Sequence, residues 1–375
     1  MPYSGGLCQY QVSFILLLLL PVSSVALSTQ ELTTRLLNII MSDLYEKMIR
    51  RFLQPLSVLP IGVGDAYYFL RKDDAFVFTE GYIHPPGGLM GKVMLSPNPD
   101  GDTNIFGRKY MSSYKRVVDG KLILIPHPEQ MIQQFELTPG LDPNAPRPVY
   151  EEYHVEFPLS DFKGVFEHHH SLLTAMEIYP AIRKSIEDLS RSFEVPLSRL
   201  GCTGSTCYGK FKEPDDDVDL VWYGSIAENK KVLERIKELT RNPRNRVFEF
   251  GRWWPIRFYW KEMMICSFFN YRLEEEIPLR DCRMEVLEEN VKGVGMVDDD
   301  THTIYMPSIV RLTHLLLNGK RSGDLELIIY DGSLRGEFFA GDYLEFLARR
   351  VRVQTADREF EALLVNLGEN IKKED

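Results

Sequence analysis

Along this chain the spacing of apolar positions switches between a period of two and one of three to four, and the switches outline its elements. Ile182, Ile186, Leu189 and Phe193 recur at helical spacing, with Pro180 placed to start the helix. Residues Ile226–Thr240 set Val232, Leu233, Ile236 and Leu239 on one stripe and predict a second amphipathic helix. Between the two, 200–203 reads as a short strand. Val218, Leu220 and Trp222 then form the inner face of another strand, whose opposite face begins with Asp217 and Asp219. Strands are expected again over 246–250, 255–260 and 263–269. The pattern over 151–285 is thus a mixed sheet covered by helices on one face.

Both flanks read differently. A helix over 36–52 follows an apolar extension, so that 1–60 is set apart from what comes next. Residues 61–150 are β-rich, with strands over 76–78, 92–94 and 121–125 and turns over 97–101 and at Asp119-Gly120. That segment ends in a stiff, turn-rich linker over 139–148. Over 286–375, short strands at 325–330, 336–339, 343–347 and 351–353 alternate with bends at Asp331-Gly332 and Ala340-Gly341-Asp342, which predicts a small barrel. The expected fold class is α+β: a mixed sheet with helices on one face, flanked by N-terminal and C-terminal β-rich domains.

Composition changes this picture little. With 375 residues, 44% apolar and 26% charged, the chain suits two or three globular domains. Forty-four Lys plus Arg against 54 Asp plus Glu leave a formal charge of −10, which disfavours coating long nucleic acid non-specifically. Local basic grooves stay open at Arg241, Arg244 and Arg246 and at Arg349, Arg350 and Arg352, whose plain reading is a solvated loop and a solvated strand face. Arg108-Lys109-Tyr110 and Tyr114-Lys115-Arg116 pair aromatics with cations, a pattern compatible with base stacking and more often the mark of an ordinary sheet surface. The five cysteines (Cys8, Cys202, Cys207, Cys266, Cys282) show neither C-x-x-C nor zinc spacing, so buried thiols in a reducing compartment account for them.

The apolar run 14–27 is short for a membrane span and contains Pro21; as a signal peptide it lacks a basic start, since no Lys or Arg precedes Arg35. Weak membrane tethering and a start further downstream, near Met41 or Met48, are the other readings. His168-His169-His170 cannot converge on one ion in a helix or strand, which leaves a solvated helix start. Asp298-Asp299-Asp300 reads as a hairpin turn.

The candidate chemistry gathers in 200–224. A small-residue turn, Gly204-Ser205, is followed twelve residues on by Asp217-Val218-Asp219. In a strand the two aspartates point the same way, and like charges so close call for a cation between them; Mg²⁺ suits an all-oxygen site. The turn offers backbone N–H groups to a phosphate. Together they suggest metal-assisted phosphoryl or nucleotidyl transfer. The same letters spell Gly204-x-x-x-x-Gly209-Lys210, but a P-loop then needs Ser or Thr and Phe211 stands there. An acidic turn leading into an ordinary strand is the bland alternative.

Gly204-Ser205-x-x-x-Gly209, then Asp217-x-Asp219 and an apolar residue, resembles the signature of the polymerase-β-like nucleotidyltransferase superfamily. More narrowly, LGCTGS and DVDLVWYG resemble a group of predicted archaeal nucleotidyltransferases. The resemblance implies a nucleotidyltransferase-type core and Mg²⁺-dependent transfer of a nucleoside monophosphate from a nucleoside triphosphate to a hydroxyl, with release of pyrophosphate. By it, Gly204 and Ser205 hold the triphosphate, and Asp217 and Asp219 ligate metal and carry catalysis. The acceptor stays open between an RNA end, a protein side chain and a small molecule; such substrates point to the cytoplasm. Superfamily members add a third carboxylate from a neighbouring strand. Here Cys266 stands at the expected place; a third carboxylate is nonetheless expected within reach of the pair, Glu262, four residues earlier on the same strand face, being the first candidate. A missing third acid would leave the alternative function, a degraded nucleotide- or RNA-binding module on the same fold.

Overall fold

The computed structural model describes residues 29–59, 62–118, 120–138, 140–142, 148–150, 155–212 and 216–374. The apolar run 14–27 and most of the linker 139–148 lie outside them. Two compact units divide the chain, Met1–Asp43 and Leu44–Asp375. In the first, the described part is the beginning of a helix that runs over Thr29–Phe52. The second is α+β.

Within the second unit, an eight-stranded N-terminal sheet carries Tyr68–Arg71 and Phe76–Phe78 at its centre. Val155–Pro158 and Phe162–Phe166, which the pattern grouped with the central segment, pair with this sheet instead. Their hydrogen-bond partners in that sheet lie roughly 65 and 90 residues back in sequence, respectively, beyond the reach of local periodicity. The helix His127–Leu137 seals one region through Gln134, whose Oε1 accepts from Val93 N (2.7 Å) while its Nε2 donates to Val93 O (3.0 Å).

The central sheet has five strands, ordered Leu200–Cys202, Val218–Gly224, Met263–Tyr271, Arg252–Trp260, Arg246–Glu249. Val218–Gly224 runs parallel to Met263–Tyr271; the other pairings are antiparallel. Helices His168–Ile178, Pro180–Phe193 and Ile226–Thr240 accompany it. Ile182, Ile186, Leu189 and Phe193 are all buried, as are Val218, Leu220 and Trp222 opposite them. Phe193 lies 5.4 Å from Trp222 and 5.8 Å from Phe258, ring to ring. Burying side chains of this size contributes about 1.5–3 kcal/mol each, and it fixes which face of the aspartate strand turns outward. Ser225 and Glu228 close a capping box at the start of Ile226–Thr240.

His168 to His170 do start a helix, but they are not a solvated start. His168 is fully buried, stacked on Tyr67 at 3.9 Å and bonded to Tyr223 Oη (2.7 Å) and Ala66 O (2.9 Å). Burial lowers its pKa to about 4. The helix begins where the N-terminal sheet meets the central one, so its first residue is covered from both sides.

The C-terminal strands form a closed ring: Arg283–His302, Ser308–Leu317, Leu325–Ile329, Glu359–Val365 and Tyr343–Gln354, which pairs back to Arg283–His302. Bulges bend the 20-residue first strand so that it pairs with both neighbours. Residues 336–339, expected as a strand, are a connection after a short 3₁₀ turn. Asp298 to Asp300 lie within the long strand rather than in a hairpin turn, where an irregular register lets consecutive side chains find separate partners.

Candidate active site

Antiparallel pairing of Leu200–Cys202 with Val218–Gly224 brings the end of the first strand to the start of the second. Thr203 N donates to Asp219 O (2.9 Å), and the chain then turns through the 3₁₀ segment Gly204–Tyr208. Gly204 has φ +61°, and a Cβ there would overlap Asp219 Oδ2. Only glycine lets the turn lie against the carboxylate. Ser205 is partly exposed, and its hydroxyl makes no hydrogen bond among the described residues. Among the described residues, the α-helix that a P-loop requires directly after this turn is absent; Gly209 instead packs against Phe52 and Phe106.

Asp217 and Asp219 converge. Together with Cys266 they offer three ligand atoms within 4.8 Å of one another. Cys266 is the lateral partner of Asp219 on the parallel strand, and its Sγ–H donates to Asp217 Oδ2 (3.0 Å). Desolvation, followed by the Asp217 charge, pushes the Asp219 carboxyl up to about 7, against the opposing pull of Arg257 and Lys115. Burial and then the two aspartates push the Cys266 thiol well up, so it is protonated at neutral pH.

The expected third carboxylate is not present in this group. Among the described residues no further acid joins it; Glu262 lies exposed in the turn between Arg252–Trp260 and Met263–Tyr271. Beyond Cys266 on the next strand stands Arg257, its lateral partner. The Arg257 guanidinium pairs with Glu249 (2.8 Å) and stacks on Trp254 at 3.8 Å. Lys115 approaches from the N-terminal domain, its ammonium 5.8 Å from the Phe250 ring. Neither cation was legible as part of the site. Arg257 sits in an aromatic-rich strand with no motif, and Lys115 precedes the aspartates by about a hundred residues.

The other candidate features resolve into structural roles. Asp298 takes a two-pronged ion pair from Arg311 (2.7 Å each), Asp299 Oδ1 accepts from Thr301 N (2.9 Å) and Asp300 Oδ2 from Ala340 N (3.1 Å). Tyr110 is buried and donates to Tyr45 Oη (2.6 Å), with Arg108 held by Asp74 (2.7 Å). Arg349, Arg350 and Arg352 are each paired with glutamates across neighbouring strands, as a solvated strand face should be. Arg241, Arg244 and Arg246 are exposed and carry no ion pair among the described residues. The described cysteines are buried and unbridged. Among the described residues, no helix is long and apolar enough to cross a membrane.

Comparison of the chain with family models, with curated proteins and with solved structures yields no match.

Proposed function

We propose that the chain is a Mg²⁺-dependent nucleotidyltransferase of the polymerase-β-like kind, moving a nucleoside monophosphate from a nucleoside triphosphate to a hydroxyl acceptor. The observation that carries this reading is the convergence of Asp217 and Asp219 beside a glycine that has room for no side chain. A donor set of two carboxylates is hard and fits Mg²⁺. The Cys266 thiol is soft and protonated; it serves as a hydrogen-bond donor to Asp217 and not as a ligand for that ion. When bound, Mg²⁺ polarises the reacting phosphate and offsets charge on the leaving pyrophosphate. Asp217 and Asp219 hold it, Ser205 offers its hydroxyl to a phosphate oxygen, and Lys115 and Arg257 supply cations near the pair. The acceptor oxygen bonds to the α-phosphorus and sheds its proton to solvent, while the bond from that phosphorus to the bridging oxygen breaks. The substrates assign the reaction to the cytoplasm.

A second reading, a nucleotide-binding module without transfer, is favoured by one observation: a thiol and an arginine occupy the two lateral positions where a third acid would complete the site. Incubation with α-labelled nucleoside triphosphates, Mg²⁺ and a cell extract separates the two. Transfer by wild type, reduced about 100-fold or more in Asp217→Asn and Asp219→Asn, supports the enzyme. Equal transfer by all three proteins excludes this site as the source. Bound nucleotide with no transferred label supports the module.

A further inference from the structure

Beside the carboxylates, the hairpin of Arg246–Glu249 and Arg252–Trp260 leaves large aromatic rings in water. Phe248 is 55% exposed, Phe250 44% and Trp253 56%. Phe248 and Trp253 are register partners whose rings meet edge to face at 5.0 Å. Three such rings within six residues form an apolar surface of the kind that marks an interaction site. The segment leading into the hairpin supplies Arg241, Arg244 and Arg246, exposed and without carboxylate partners among the described residues, although Arg246 Nε donates to Thr240 O (2.7 Å). In a chain of charge −10, these three arginines have no acid partner among the described residues, whereas Arg349, Arg350 and Arg352 of the barrel are each paired with a glutamate.

Both ends of this surface connect to the aspartates. Arg257, stacked on Trp254 next to Trp253, is the lateral partner of Cys266. Lys115 lies over Phe250 and also acts on Asp219. Exposed rings that stack and cations that meet phosphates, side by side, match a single-stranded polynucleotide. Unstacked bases at loops and ends are an ordinary state of RNA, whereas cellular DNA is mostly duplex, so RNA is the occupant this chemistry selects.

We propose that the hairpin Arg246–Trp260, with Arg241 and Arg244 at its base, is a binding platform for single-stranded RNA that presents a 3′ hydroxyl to the Asp217/Asp219 site. The acceptor role rests on the transferase reading above; the binding of RNA does not.

The test measures fluorescence anisotropy of a labelled 15-nucleotide single-stranded RNA of mixed sequence on the full chain, without nucleotide or Mg²⁺. Single-stranded DNA and duplex RNA of the same sequence form two further arms. The expected result is binding that weakens roughly tenfold in Trp253→Ala and in Phe250→Ala, each checked for an unchanged melting temperature. Arg241→Gln with Arg244→Gln should flatten the dependence of log affinity on log salt by about 1.4, two phosphates at about 0.7 each. Arg349→Gln with Arg352→Gln should change neither quantity. RNA binding indifferent to both aromatic substitutions, or absent, overturns the platform. Equal or tighter binding of the DNA strand overturns the assignment to RNA, and equal binding of the duplex overturns stacking. A concentration-dependent dimer of wild type that Trp253→Ala abolishes would give the surface to a second copy of the chain. Since no arm requires catalysis, transfer can fail while RNA binding holds, and the reverse.

Discussion

Asp217 and Asp219 open a strand of the central sheet, while Asp298, Asp299 and Asp300 lie near the end of the longest barrel strand. In sequence both are runs of aspartate beside apolar residues, yet the fold treats them in opposite ways. In the barrel each carboxylate has its own donor, and the pKa values follow: the Arg311 hydrogen bonds hold Asp298 below its ordinary value, and those from Thr301 do the same for Asp299. In the central sheet, burial and then the Asp217 charge push Asp219 up to about 7 despite the Arg257 and Lys115 charges, and the Cys266 thiol donates to Asp217. One cluster is electrostatically finished by the protein; under the proposed function, the other is finished by a bound cation. The arginines repeat the lesson, neutralised at 349–352 and unpaired at 241–246.

The comparison breaks most visibly in activity. Asp217→Asn or Asp219→Asn should lower labelled-nucleotide transfer about 100-fold or more, and Asp298→Asn with Asp299→Asn should leave it unchanged. A loss of transfer in the barrel variant would abolish the distinction. Next in size, Gly204→Ala forces a methyl into Asp219 Oδ2 at a positive φ. It should cost about 1–3 kcal/mol in a urea melt, the range for overpacking, and remove transfer as well. Retained stability together with retained transfer would show that the turn need not touch the carboxylate.

A smaller effect has the opposite sign. Because the Asp219 pKa is raised from 3.8 to about 7, the folded state binds its proton over a range where the unfolded chain has released it. Stability without divalent cations should therefore fall as pH rises through that window. Asp219→Asn at pH 8 should melt higher, by about 1–2 kcal/mol after discounting the full shift for partial exposure and relaxation. Asp298 and Asp299, with depressed pKa values, contribute stability that is complete above their unfolded values and lost as pH falls through the folded ones. Asp298→Asn should accordingly melt no higher than wild type at pH 8. Smallest of all, Cys266→Ser keeps a donor to Asp217 and should shift the melt by less than about 1 kcal/mol. A large loss there would give the thiol a role beyond that hydrogen bond.

What local periodicity encodes was legible. The helix Ile226–Thr240 and the burial of Val218, Leu220 and Trp222 follow from spacing alone, and with them the outward turn of both aspartates. Partners distant in sequence were not. Phe162–Phe166 joins a sheet whose other strands come up to about a hundred residues earlier, and Arg283–His302 pairs with both neighbours only through bulges that interrupt its register. His168 looks polar and solvated until two domains close over it. At the site, the aspartates and the glycine carry a spacing that can be read. Lys115 and Arg257 reach the same place through a hairpin and a strand that carry no motif.

The central claim is that Asp217 and Asp219 form a site completed by a divalent cation and a triphosphate. Calorimetric titration with a nucleoside triphosphate analogue carrying an α,β-methylene bridge, with and without Mg²⁺, tests it directly on wild type and on the double variant Asp217→Asn, Asp219→Asn. Wild type should bind the analogue at least tenfold more tightly with Mg²⁺ than without it, and the variant should show no such gain. Equal affinities in all four titrations would contradict the account.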